Sequence, residues 1–189
     1  EVTGQTDSGV EAGIAFRVIA DHLRSLSFAV ADGALPSNEG KGYVLRRMLR
    51  RATRFGRVLN MNEPFIYKLV PILADVMGNA FPEINKQQEH VQNVIQSEES
   101  SFGSTLDRGL EIFQKMISSS ETKSSKIISG EHAFKLYDTY GFPVDLTRLM
   151  GKEHGFEVDE NGFEKLMKEQ QKRAREAGKF KTIPDKWSE

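Results

Sequence analysis

Lys41-Gly-Tyr-Val-Leu-Arg-Arg-Met-Leu-Arg-Arg-Ala-Thr-Arg-Phe-Gly-Arg57 carries seven basic residues and no acidic one, in a chain of 189 residues whose net charge is only −1. On a helix, with each residue advancing about 100°, Arg46, Arg47, Arg50, Arg51, Arg54 and Arg57 share one arc of roughly 140°. Leu45, Met48, Leu49, Ala52, Phe55 and Leu59 fill the opposite arc. The stretch therefore predicts a helix with one side in a core and the other, together with Lys41, presenting charged donors. Six arginines to one lysine suit bidentate contacts to phosphate. Like-charged i,i+4 neighbours cost a few tenths of a kcal/mol each, so the compensating negative charge is expected from outside the helix. The alternative is a charged face that only keeps a surface wet.

Outward from this segment the periodicity is helical almost throughout, and the predicted fold class is all-α, a multi-helix domain with one long amphipathic helix and one basic helix. Glu11 to Val30 sets Phe16, Ile19, Leu23, Leu26 and Val30 on one stripe, stopped by Gly33 and Pro36. Ser37 or Asn38 is a candidate cap for the basic helix, and Gly40 and Gly42 read as flexibility before it. Pro64 to Met77 predicts a helix kinked at Pro71. Pro82 to Ile117 is the longest element, with Gly103 and Gly109 inside it marking close packing or a bend. The Ser/Lys-rich stretch 118–129 reads as a flexible linker. Two short helices flank Gly141-Phe142-Pro143, and Asp159 opens a last charged helix toward Gly178.

Composition narrows the function. With 38% hydrophobic residues and no cysteine, the chain can bury a core but offers no disulfide or thiolate metal site. No apolar run reaches the roughly 18 residues of a membrane span. The chain reads as soluble and intracellular, and its start, which lacks a methionine, as part of a longer protein. There is no G-x-x-x-x-G-K-[ST] phosphate loop. His22, His90, His132 and His154 lie too far apart to build a metal site alone. No catalytic residue is predicted.

A second unusual segment is Leu136-Tyr-Asp-Thr-Tyr-Gly-Phe-Pro-Val-Asp145. Two tyrosines three residues apart share a helix face, which reads first as a packed aromatic corner. Asp138 between them accepts hydrogen bonds only, so it suits an exocyclic amino group on a base edge as well as a local bond.

Arg17 to Gly33 (RVIADHLRSLSFAVADG), Pro36 to Ala52 (PSNEGKGYVLRRMLRRA) and Phe134 to Thr147 (FKLYDTYGFPVDLT) resemble, in order, the central region of the alanyl-tRNA synthetase family. The resemblance covers Gly9 to about Gly178. It implies a helical tRNA-recognition region that follows a class II adenylate-forming core and grips the acceptor stem of tRNA(Ala), whose third base pair is a G·U wobble. By position Asn38 matches the asparagine that reads this pair from the minor groove and Asp138 the aspartate on the other side, with Asp145 competing for that role. Lys41 and the six arginines would hold flanking phosphates, which position without specifying.

The implied organisation is 1–10 as the end of the preceding core or a linker, 11–117 as helical tRNA-recognition region, 118–129 as linker, 130–178 as acceptor-stem-recognition region and 179–189 as tail. The adenylation motifs are missing, so the resemblance implies that this chain binds tRNA without charging it. ATP and Mg would belong to the parent enzyme, and Zn to an editing domain also missing here. The implied partners are the tRNA(Ala) acceptor stem and the parent's catalytic core, in the cytoplasm or, for an organellar form, the mitochondrion. A nonspecific RNA-binding bundle and a protein-interaction or membrane-surface module remain as alternatives.

Overall fold

The computed structural model describes residues 10–179. The expected ends at 1–10 and 179–189 lie outside that span except for Val10 and Lys179. The fold is all-α: nine α-helices among the described residues, with strand confined to two residues on each side of one parallel pair. The chain divides into two compact units, one ending at Asp107 and the other beginning at Arg108.

In the first unit, α1 (Val10–Ala31) buries Ala15, Ile19, Leu23, Leu26 and Val30, the stripe its periodicity predicts with Ala15 added and Phe16 half-buried. It packs along α2 (Gly40–Val58), whose buried Leu45, Leu49, Ala52 and Phe55 are the apolar arc opposite the arginines. Each of the two leucines and Phe55 contributes roughly 1.5–3 kcal/mol by leaving water. The connector enters α2 through Gly40 at φ 55°, a left-handed value at which glycine has no Cβ penalty. Gly42 is part of the helix, where its lack of a side chain makes room: a Cβ there would lie 2.4 Å from the Leu35 carbonyl oxygen and 2.2 Å from Ser37 Oγ. The 35–37 segment thus lies directly on the first turn of α2.

Beyond α2, the predicted Pro64–Met77 helix is a 3₁₀ turn (Ile66–Leu69) running into α3 (Val70–Met77). Pro71 sits in the first turn of α3, where its missing N–H leaves no bond unmade, and so opens the helix without kinking it. The long element is also divided. Pro82–Lys86 forms α4, Gln87 leaves helical geometry at φ −106°, ψ 10°, and α5 runs over Gln88–Ser118. Its Val91, Ile95, Phe102 and Leu106 are buried with Phe65 and Ile66.

In the second unit, the expected linker 118–129 folds. Ser119 accepts the Thr122 N–H and caps α6 (Ser120–Ser125), and Ser129 accepts the His132 N–H and caps α7 (Gly130–Tyr140). Serines that read as part of a flexible linker act here as caps. Between them β1 (Ile127–Ile128) pairs in parallel with β2 (Glu157–Val158). The remaining elements are α8 (Val144–Glu153) and α9 (Glu160–Lys179), the latter capped by Asp159 Oδ1 on the Gly162 N–H at 2.9 Å. Gly109 is a close-packing position, since a Cβ would fall 2.1 Å from Phe142 Cδ2, whereas Gly103 has only an Arg57 nitrogen within 4 Å of its Cβ position. Phe142 is fully buried, so the Gly-Phe-Pro turn anchors the core of this unit.

Candidate nucleic-acid interface

The basic arc of α2 separates into two rows. Arg46 and Arg50 converge on Glu98 of α5: Arg46 Nε lies 3.0 Å and Arg50 Nη2 3.2 Å from Glu98 Oε1. Arg50 also covers the Phe102 ring at 4.8 Å, and burial pulls its guanidinium below the ordinary arginine value while Glu98 opposes that shift. Arg57 grips Asp107 in bidentate fashion at 2.7 and 3.3 Å and donates to the Met61 carbonyl at 2.6 Å. Arg54 is buried, its guanidinium 4.9 Å from the Phe55 ring centroid. Lys41, Arg47 and Arg51 are the exposed members. Much of the compensating charge therefore comes from this chain's own α5. Neither Glu98 nor Asp107 was detectable by spacing along α2.

Asn38 does not cap the helix. Glu39 is the N-cap residue and makes no side-chain capping bond. Ser37 Oγ donates to the Glu39 carbonyl at 2.9 Å and closes the turn. The exposed Asn38 side chain instead accepts, through Oδ1, a hydrogen bond from Arg46 Nη1. A cleft bounded by Leu35, Pro36, Asn93, Ser97 and Glu98 opens beside this loop. Leu35 is 52% exposed, an apolar surface at the cleft's edge.

In the second unit Asp138 is exposed on α7 and accepts a hydrogen bond from Gln170 Nε2 of α9. The turn at Gly141 closes without it, through the Phe142 N–H to the Leu136 carbonyl at 2.9 Å. Asp145 lies in the first turn of α8 with one carboxylate oxygen shut off from solvent, a position where the helix N-terminus favours a negative charge. Of the two aspartates, Asp138 is the more accessible to a ligand. Tyr137 meets Phe163 edge-on at 5.8 Å, the aromatic corner expected from the spacing, and Tyr140 lies under the Arg108 guanidinium at 5.2 Å. Asn38 belongs to the first unit and Asp138 to the second.

The sequence also concealed Glu99. It is 1% exposed, and its carboxylate accepts the Phe65 N–H at 2.9 Å and the Ile66 N–H at 3.1 Å, capping the 3₁₀ turn. Burial raises its pKa, and the backbone donors oppose the shift. Among the described residues no group of three or more His, Asp or Glu side chains is arranged to hold a metal, and no helix is long and apolar enough to cross a membrane.

Comparison with known proteins is consistent along the chain. The family described as tRNA synthetases class II (A) matches residues 1–189. An alanine–tRNA ligase of Chlorobium phaeobacteroides is 58% identical over 163 residues, which are 86% of this chain and 18% of that protein. One from Listeria monocytogenes is 52% identical over 167 residues, 88% of this chain and 19% of that protein. The ligase of Chlorobaculum tepidum is 57% identical over 162 residues, 86% and 18% respectively. The chain thus spans about a fifth of the length of the curated relatives it matches. Because the family match extends over every residue, the basic helix included, the chain belongs to the class II (A) tRNA synthetases.

Proposed function

We propose that this chain is the acceptor-stem-binding part of an alanine–tRNA ligase. Lys41, Arg47 and Arg51 contact phosphates of the stem. Asn38 and Asp138 read its third base pair, a G·U wobble, from the minor groove. The observation that carries this reading is the exposed cation row of α2 beginning three residues after an exposed asparagine whose side chain is held in place.

The chemistry of the wobble pair fits these two side chains. In G·U the uracil is displaced, and the guanine exocyclic amino group has no partner within the pair. An acceptor-only carboxylate such as Asp138 suits that donor, and an amide suits a neighbouring acceptor. A-form RNA has a wide, shallow minor groove, open to short side chains on a loop and a helix surface. Arginine and lysine at the phosphates position the stem without reading it. Arg46, Arg50 and Arg57 shape the surface from behind through Glu98 and Asp107, and Arg54 sits within the core.

The whole protein would attach alanine to tRNA(Ala) with ATP, through an adenylate formed on a catalytic core outside this chain, in the cytoplasm. A lipid-surface role is disfavoured because Leu45, Leu49, Ala52 and Phe55 are buried and unavailable to a bilayer. The test is binding of two acceptor-stem hairpins, one with G·U and one with G·C at the third pair. Preference for G·U supports the reading; equal affinity with strong salt dependence would make the chain a nonspecific RNA binder.

A further inference from the structure

Resting on the reading of Asn38 just proposed, we infer that Arg46 and Glu98 are positioning residues that fix the orientation of the Asn38 amide so that its N–H groups are presented to the minor groove. Arginine can only donate hydrogen bonds. The bond between Arg46 Nη1 and Asn38 Oδ1 therefore turns the amide oxygen toward Arg46 and the two N–H groups away from it. An asparagine free to rotate would satisfy a donor or an acceptor equally well. One held by arginine has a fixed orientation, and the N–H groups on the side away from Arg46 suit an acceptor such as a purine N3, a pyrimidine O2 or a ribose hydroxyl oxygen.

Arg46 is itself fixed. Its Nε lies 3.0 Å from Glu98 Oε1, and the same oxygen takes Arg50 Nε and Nη2, both at 3.2 Å. The side chains of Arg46 and Glu98 retain 21% and 12% of their surface, so this pair is well shielded from competing water. The guanidinium thus forms an ion pair with Glu98 on its Nε side, without a hydrogen bond from that nitrogen, and donates to Asn38 through Nη1, two contacts that the single ammonium of a lysine does not reproduce together. Gly42 completes the arrangement by letting the 35–37 segment lie on α2, so that Asn38 follows from an anchored stretch of backbone. Loop, helix α2 and helix α5 are tied together through one arginine.

Four variants test this: Asn38→Ala, Asn38→Asp, Arg46→Lys and Glu98→Gln, each measured for the ratio of G·U to G·C hairpin affinity, for the salt slope and for thermal melting. Asn38→Asp keeps an oxygen for Arg46 but has no donor. It should lose the affinity ratio as fully as Asn38→Ala, by about tenfold for one lost contact. Arg46→Lys should lose a similar factor with its charge and salt slope retained, and Glu98→Gln a smaller one. Combining Arg46→Lys with Asn38→Ala should lower the ratio no further than Asn38→Ala alone. An Arg46→Lys protein and a Glu98→Gln protein that both melt as the parent does and keep the full ratio, while Asn38→Ala loses it, would overturn this inference and leave the proposed function standing. A full ratio in Asn38→Asp alone would overturn the donor assignment. A full ratio in Asn38→Ala would remove the proposed role of Asn38 itself.

Discussion

Two rows of arginine on one helix should separate cleanly in a salt titration. On a duplex, each phosphate neutralised by a cation contributes about −0.9 to the slope of log K against log salt. With Lys41, Arg47 and Arg51 exposed, the row contributes about −2.7, whereas seven engaged side chains would give about −6. Arg47→Ala and Arg51→Ala should therefore each make the slope shallower by about 0.9, weaken all stems alike and leave melting unchanged. Arg50→Ala should do the reverse. At 3.2 Å its attraction to Glu98 is about 5 kcal/mol gross at an effective dielectric of about 20, and desolvation cancels most of it. Losing that pair and its packing on Phe102 should cost about 1.5–3 kcal/mol of stability, with little change in slope. Fluorescence anisotropy of a labelled acceptor hairpin over a salt series, beside thermal melts of each variant, measures both quantities. If Arg50→Ala shifts the slope as much as Arg47→Ala does, the division into an inner and an outer row is wrong.

Other outcomes follow from the same geometry. Glu99→Ala leaves the buried Phe65 and Ile66 N–H groups without an acceptor, at about 1–3 kcal/mol each, and should lower the melting temperature far more than Glu99→Gln, which retains an oxygen. The raised pKa of Glu99 means the folded state binds more protons than the unfolded one above the ordinary glutamate range. Its contribution is therefore present at low pH and lost as pH rises through the folded pKa, and Glu99→Gln should remove that pH dependence in melts. Gly42→Ala forces the Leu35 carbonyl away from α2; it should cost about 1–3 kcal/mol and lower the G·U to G·C ratio. The chain should show no alanine-dependent exchange between ATP and pyrophosphate, and exchange by a sample free of host enzyme would place an active site among residues read here as structural.

What the sequence disclosed depended on whether the signal was periodic or pairwise. The stripes of α1 and α2 were legible because burial on one face repeats every three or four residues, and the observed core uses those residues. Helix boundaries were less so: Pro71 opens α3 where a kink was expected, and Gln87 divides α4 from α5 although the apolar period runs on through Val91. The serines between 118 and 129 looked like a linker because caps and flexible segments draw on the same residues. For the site, the positive charge of α2 was plain, but its division was not. Glu98 and Asp107 lie dozens of residues from their arginines, and a helical wheel shows which way a side chain faces without showing what waits there. Glu99 was hidden for the same reason, its partners being backbone N–H groups that no pattern reveals. Asp138 and Asp145 differ in exposure, a tertiary property that spacing along the chain does not carry.

The most direct measurement is the affinity of the chain for two acceptor-stem hairpins that differ only in G·U or G·C at the third pair, made with the unaltered chain, Asn38→Ala and Asp138→Ala. The predicted result is a preference for G·U in the unaltered chain that falls about tenfold in each variant, with the salt slope unchanged. Equal affinity for both hairpins in the unaltered chain, or a preference that survives in both variants, would contradict it.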